Sequence, residues 1–161
     1  MKISLVILYM ATAVVLSVKS GPVRSQGQSS DITAADPMPI TRIYSDSTGN
    51  SHFSDSSVRF ELVDYAPPAP PISVTDVFGS TGWMVISSPV GWYGDWHPVP
   101  RRQYMICLAG SLEVEVSDGE TRRFGPGSVL LVEDTLGIGH RSKVIGSERG
   151  YMVALPIVEE Q

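Results

Sequence analysis

The sequence predicts an all-β domain, a barrel or sandwich of short antiparallel strands. Three observations carry that expectation. Short runs of alternating apolar and polar residues recur from Ile40 to Ile157, turns rich in glycine separate them, and no segment beyond the N-terminal apolar run shows a helical period. The length of 161 residues suits one domain with a modest core.

Taken in order, the elements begin with a targeting signal. Lys2 precedes the apolar run Ile3 to Val18, and small and polar residues follow, the pattern of a secretory signal peptide over residues 1–20, with Ser20 or Ser25 at the cleavage site. The alternative is an uncleaved membrane anchor, although the run is short against the roughly 20 apolar residues that a spanning helix needs. The expectation is therefore a secreted or exported protein with no further membrane contact once the signal is removed. Residues 21–39 are rich in Ser, Gln, Pro and Asp and read as a flexible linker.

Residues 40–82 read as N-terminal strands and a proline-rich segment packed on a barrel core at 83–157. Ile40 to Tyr44 is a strand candidate, Ser45 to Ser57 a polar stretch with a turn at Gly49-Asn50, and Val58 to Val63 a second alternating run with Val58, Phe60 and Leu62 on one face. Four prolines between Ala66 and Pro71 cannot pair inside a sheet and predict an extended, stiff segment over the barrel surface. Strands follow at Trp83 to Ser87, Gln103 to Ala109, Leu112 to Val116, Thr121 to Phe124, Val129 to Val132 and Tyr151 to Ile157. In Leu112 to Val116 the aliphatic residues alternate with Glu113 and Glu115, a half-buried strand. Asp118-Gly119 predicts a type I′ hairpin turn, and Gly125-Pro126-Gly127 another reversal.

Composition narrows the function. Apolar residues make up 42% and charged residues 18%, and the net charge is −5, which argues against a general nucleic-acid binder and against anionic membrane surfaces. The single cysteine, Cys107, excludes an intramolecular disulfide. No Gly-rich phosphate loop, Ser-His-Asp arrangement, CxxC pair or N-glycosylation sequon is present.

The stretch Gly91 to Gly110, GWYGDWHPVPRRQYMICLAG, resembles the first motif of the cupin family, G-x5-H-x-H-x3-E-x6-G. The spacing matches at Gly91, His97 and Gly110, while Val99 stands at the second histidine and Gln103 at the glutamate. A looser second motif has Gly127 and His140, with Glu133 at its proline position, a longer loop before His140 and no terminal Asn. The resemblance spans about Trp83 to Pro156 and implies a cupin-type antiparallel β-barrel, the double-stranded β-helix or jelly roll.

It also implies a site. His97, Gln103 and His140 would converge inside the barrel on a divalent metal (Fe, Mn, Ni or Zn), or would form a metal-free polar cluster that hydrogen-bonds a ligand. If Gln103 faces the cavity, strand alternation turns Met105 and Cys107 the same way, and Trp96, with Trp92 and Tyr93, would line the mouth or seal the barrel end. Asp95, Glu133 and Asp134 are candidate bases or partners that orient an imidazole, or solvated loop acids. Arg101 and Arg102 would meet an anionic substrate or a partner subunit, or simply face water, and His52 has no evident partner. Two functions follow: a metal-assisted small-molecule enzyme of the oxygenase, isomerase or decarboxylase kind, and a non-catalytic, metal-free small-molecule binding module. The resemblance further suggests a homodimer.

Overall fold

Leu112, Val114 and Val116 are buried, and the glutamates between them turn outward to basic partners, as the alternation requires. The computed structural model in which this is seen describes residues 33–158. The expected signal peptide and most of the expected linker lie outside them. Every regular element among the described residues is a strand: β1 Met38–Ser45, β2 Ser51–Val58, β3 Glu61–Val63, β4 Ile72–Val74, β5 Met84–Ser88, β6 Tyr93–His97, β7 Gln103–Ala109, β8 Ser111–Val116, β9 Thr121–Phe124, β10 Val129–Glu133, β11 His140–Ile145 and β12 Gly150–Pro156.

Two sheets enclose the core. The larger runs β2-β1-β10-β7-β12-β5 and the smaller β6-β11-β8-β9, while β3 and β4 form a separate hairpin. All pairings are antiparallel except β1 with β10. The core is built from inward residues of both sheets, among them Ile43, Cys107, Leu130 and Met152 of the larger and Leu112, Val116 and Phe124 of the smaller. This is the expected all-β, two-sheet barrel. On the outer face of the smaller sheet, residues directly opposite one another have opposite charge: Arg141 bonds Glu115, and Glu113 lies between Lys143 and Arg123.

Several expectations are corrected. The polar stretch Ser45 to Ser57, for which the sequence predicts only a turn, also forms a strand: after the turn at Asp46 to Asn50 comes β2, paired with β1 along its whole length. Only Ser51 and Phe53 of β2 are buried, too sparse an apolar signal to read from sequence. The run Val58 to Val63 is broken at Arg59-Phe60, with its two ends in different sheets. The proline-rich segment is not the expected extended one. It turns back between β3 and β4, with the Ala69 amide donating to the Ala66 carbonyl (3.0 Å) and a cis Pro67-Pro68 bond. At Asp118-Gly119 only the glycine has positive φ (95°), so the turn is not type I′. Val116 and Glu120 instead close a three-residue loop in which Gly119 takes the left-handed position, and the Asp118 carboxylate accepts from the Glu120 amide (2.8 Å). β6 and β11, which carry the two histidines, have no counterpart among the expected strands.

Candidate functional site

β6 and β11 are neighbours in the smaller sheet, and their register sets His97 directly opposite His140. The close approach needs glycine at position 139. Gly139 has φ +73°, and a Cβ there would overlap the His97 carbonyl and the Pro98 nitrogen. The imidazole rings lie 4.8 Å apart between centroids, tilted by 52°. Each ring is held through Nδ1. His97 Nδ1 bonds the Asp95 carbonyl oxygen (2.6 Å), which fixes it as the N–H, because a carbonyl only accepts. His140 Nδ1 bonds Asp134 Oδ2 (2.6 Å). Both Nε2 atoms are thereby left without a partner among the described residues.

Asp134 is fully buried, and its Oδ1 is a buried side-chain oxygen with no hydrogen-bond partner. Its own carbonyl accepts from the Val99 amide (3.1 Å), which ties the loop after β10 to the loop before β7. Asp134 thus holds the His140 ring from behind, one of the roles the sequence offered it. Glu133, its neighbour, points the other way. Burial would raise the Glu133 carboxyl, but hydrogen bonds from Arg42 and Arg102 hold it below its ordinary range.

The histidines open onto a cavity of about 360 Å³ between the sheets. Gln103 lines it too, so His97, Gln103 and His140 do face one space. Gln103 is buried, and its amide nitrogen lies 3.2 Å from Met105 Sδ. Most of the remaining wall is aliphatic or thioether: Ile43, Met84, Ile86, Met105, Leu130 and Met152, with Val99 where the motif would have a histidine. Trp92, Phe124, Ser88, Ser142 and Arg101 complete the lining that matters for recognition, and no Asp or Glu is part of it.

Two of the expected lining residues lie elsewhere. Trp96 is not in the cavity wall; it is exposed, with the Arg141 guanidinium 5.0 Å over its ring. Adjacent strand residues point to opposite faces, so once His97 faces inward Trp96 cannot, and Trp92 takes the place beside the cavity. Cys107 is also outside the wall. It shares the inward face of β7 with Gln103 and Met105, but it is packed into the core cluster and its thiol lies against the carbonyls of Gly110 and Ala109. Burial pushes that thiol above its ordinary range, so it is a packed, unreactive group.

The donor set decides how well a metal would fit. The cavity offers two imidazole Nε2 atoms and one neutral amide, with a guanidinium in the same wall and no carboxylate. Among the described residues no three His, Cys, Asp or Glu side chains are grouped to hold an ion. Asp134, the carboxylate that orients a site histidine, is committed behind His140 and is not part of the cavity wall. Such a set does not fit a tightly held divalent metal.

No family model matches the sequence, and no curated protein sequence does. Among solved structures the chain is similar to the cupin domain of Schizosaccharomyces pombe Cnp3 (16% identity, 78% of this chain and 89% of that one, TM-score 0.43). It is also similar to a Streptococcus pyogenes protein of unknown function (21%, 54% and 72%, TM-score 0.37). A third likeness is to the DMSP lyase DddQ from Ruegeria pomeroyi (20%, 63% and 48%, TM-score 0.41).

Proposed function

We propose that this chain is a small-molecule-binding barrel that works without a resident metal, taking a small, largely apolar ligand whose polar group meets Nε2 of His97 and His140. The observation that carries this reading is the cavity itself: an aliphatic and thioether wall with its recognition groups at the two imidazoles, Gln103 and Arg101, and no anionic ligand for a cation. Its volume lies at the small end of the roughly 300–1,000 Å³ range of ligand pockets.

Methionine methyl signals test it. Met84, Met105 and Met152 line the cavity, whereas Met38 lies outside its wall. Titration with a neutral apolar alcohol such as 2-naphthalenemethanol is expected to move the first three signals and leave Met38 in place, and elemental analysis is expected to find no stoichiometric metal. The double variant Val99→His and Gln103→Glu restores an imidazole and a carboxylate and is expected to gain a metal that the native chain lacks. Stoichiometric metal in the native protein, lost in His97→Ala and in His140→Ala, would overturn the metal-free reading. The export expected from the N-terminal run belongs to the same proposal: a protein purified from its native source should begin at Gly21 or Gln26.

A further inference from the structure

Resting on that reading, the geometry points to a carboxylic acid as the ligand: an apolar body in the cavity, with its carboxyl group between Arg101 and the histidine pair. Arg101 lines the cavity, yet it has no ion pair or hydrogen bond among the described residues. Arg42 and Arg102 are committed to Glu133, Arg122 to Asp55 and Glu120, and Arg141 to Glu115, while Arg59, also without a carboxylate among the described residues, is not in the cavity wall. In a chain with 17 acidic residues against 12 basic ones, a solvent-exposed arginine lining an acid-free cavity, with no carboxylate of its own, is a positive charge open to an anion.

The loop that carries Arg101 is built to hold it there. Pro98 and Pro100 restrict the backbone on its N-terminal side. The Val99 amide is bonded to the Asp134 carbonyl, and the Arg102 carbonyl accepts from the Ile157 amide (3.0 Å). Arg101 thus stands between two anchored residues.

The histidines sharpen the chemical class. Where it is uncharged, an imidazole with Nδ1 as donor presents a lone pair at Nε2, which would repel a bare anion. A carboxyl group answers both demands. Binding takes up the ligand anion and one proton, and that proton lies between a carboxyl oxygen and an Nε2 atom while the other oxygen accepts from the Arg101 guanidinium. A neutral alcohol would serve the imidazoles but leave Arg101 unanswered. A phosphate monoester would bring more charge than the aliphatic wall tolerates, and a sulfate ester, too weak a base to hold a proton, would set a bare anion against the Nε2 lone pairs.

Octanoate and its uncharged isostere octanamide are the probes, with binding read from the Met84, Met105 and Met152 methyl signals and from calorimetry. Octanoate is expected to bind the native protein at least about 10-fold more tightly than octanamide, the scale of one charge-assisted hydrogen bond. Arg101→Gln should remove that preference while octanamide still binds, and calorimetry in buffers of different ionisation enthalpy should show proton uptake with octanoate only. Equal affinities for the two probes, or a preference that survives in Arg101→Gln, would overturn the carboxylic-acid inference and leave the apolar-ligand reading intact. Failure of both probes and of the neutral alcohol to move the three methyl signals would defeat the underlying reading itself.

Discussion

At the scale of single residues, the histidine with no evident partner in the sequence proves to be the most tightly held. His52 on β2 bonds Asp118 Oδ2 through Nδ1 (2.6 Å) and Asp46 Oδ2 through Nε2 (3.1 Å), so one ring joins the β1–β2 turn to the β8–β9 turn. Both partners are carboxylates, so both ring nitrogens act as donors when the ring is charged. The bonds to Asp46 and Asp118 accordingly raise His52 above its ordinary value of 6.5, against a smaller opposing effect of burial. Asp46 is depressed, first by Thr48 and then by His52, and Asp118 by the Glu120 amide and, against some burial, by His52. The sign follows from linkage. A raised histidine contributes stability that is full below 6.5 and is lost as pH climbs through its folded value, and depressed carboxylates contribute stability that is lost only in acid. His52→Gln is therefore expected to lower the melting temperature more at pH 5.5 than at pH 9, measured by thermal unfolding at both. An equal loss at both pH values would show that the ring acts by packing alone, for instance against Tyr44 at 5.6 Å. Nothing local in the sequence marks this clamp, because its three members are 6 and 66 residues apart and meet only when two turns fold against each other.

At the scale of elements, the motif spacing was legible and the strands that use it were not. His97, Gln103 and His140 line one cavity, but β6 and β11, reading YGDWH and HRSKVI, lack an apolar alternation because their cavity-facing positions include the polar His97, His140 and Ser142. Alternation also tells which face a residue shares, not how deep along the barrel it sits, which is why Met105 reaches the cavity and Cys107, two residues on, is buried beyond it. The element that fixes the site is the segment Gly137 to Gly139. The Ile138 amide donates to the Gly49 carbonyl, and Gly137 and Gly139 hold positive φ where any side chain would strike backbone. Gly139→Ala must push the start of β11 away from the end of β6. A cost of about 1–3 kcal/mol is expected from overpacking, with strain at positive φ adding to it. Urea unfolding measures the cost, and the nuclear Overhauser contact between the His97 and His140 rings should vanish in the variant. A variant that retains that contact at native stability would show that the two strands can separate at Gly139 without moving the histidines.

At the scale of the whole barrel, the two seams between the sheets differ. Where β2 and β9 meet, the Phe53 and Phe124 rings lie 6.1 Å apart, Arg122 stands over Phe53, and its guanidinium bonds Asp55. Between the opposite edges, β5 and β6, no hydrogen bond or ion pair forms among the described residues, and only the connection Pro89 to Trp92 links them. Strand β5 is consequently wet on both faces: Met84 and Ile86, which line the cavity, are 49% and 36% exposed, and Val85 on the outer face 52%. Edge strands are ordinarily guarded by charge, proline or a bulge, and Met84–Ser88 carries none of these. We propose a second copy as the partner of this edge, because antiparallel pairing of β5 with its two-fold mate would set no like charges opposite each other and would continue the larger sheet across the interface. Sedimentation is expected to show a dimer forming as concentration rises, and Val85→Lys, which puts two ammonium groups on the paired edges, is expected to keep the chain monomeric. Since Met84 and Ile86 belong to the cavity wall, the dimer would also dry that wall, so Val85→Lys should weaken octanoate binding although Val85 itself does not line the cavity. A native chain that stays monomeric at every concentration, or a Val85→Lys variant that dimerises unchanged, would remove β5 as the interface; a monomeric variant with native ligand affinity would separate the dimer from the cavity.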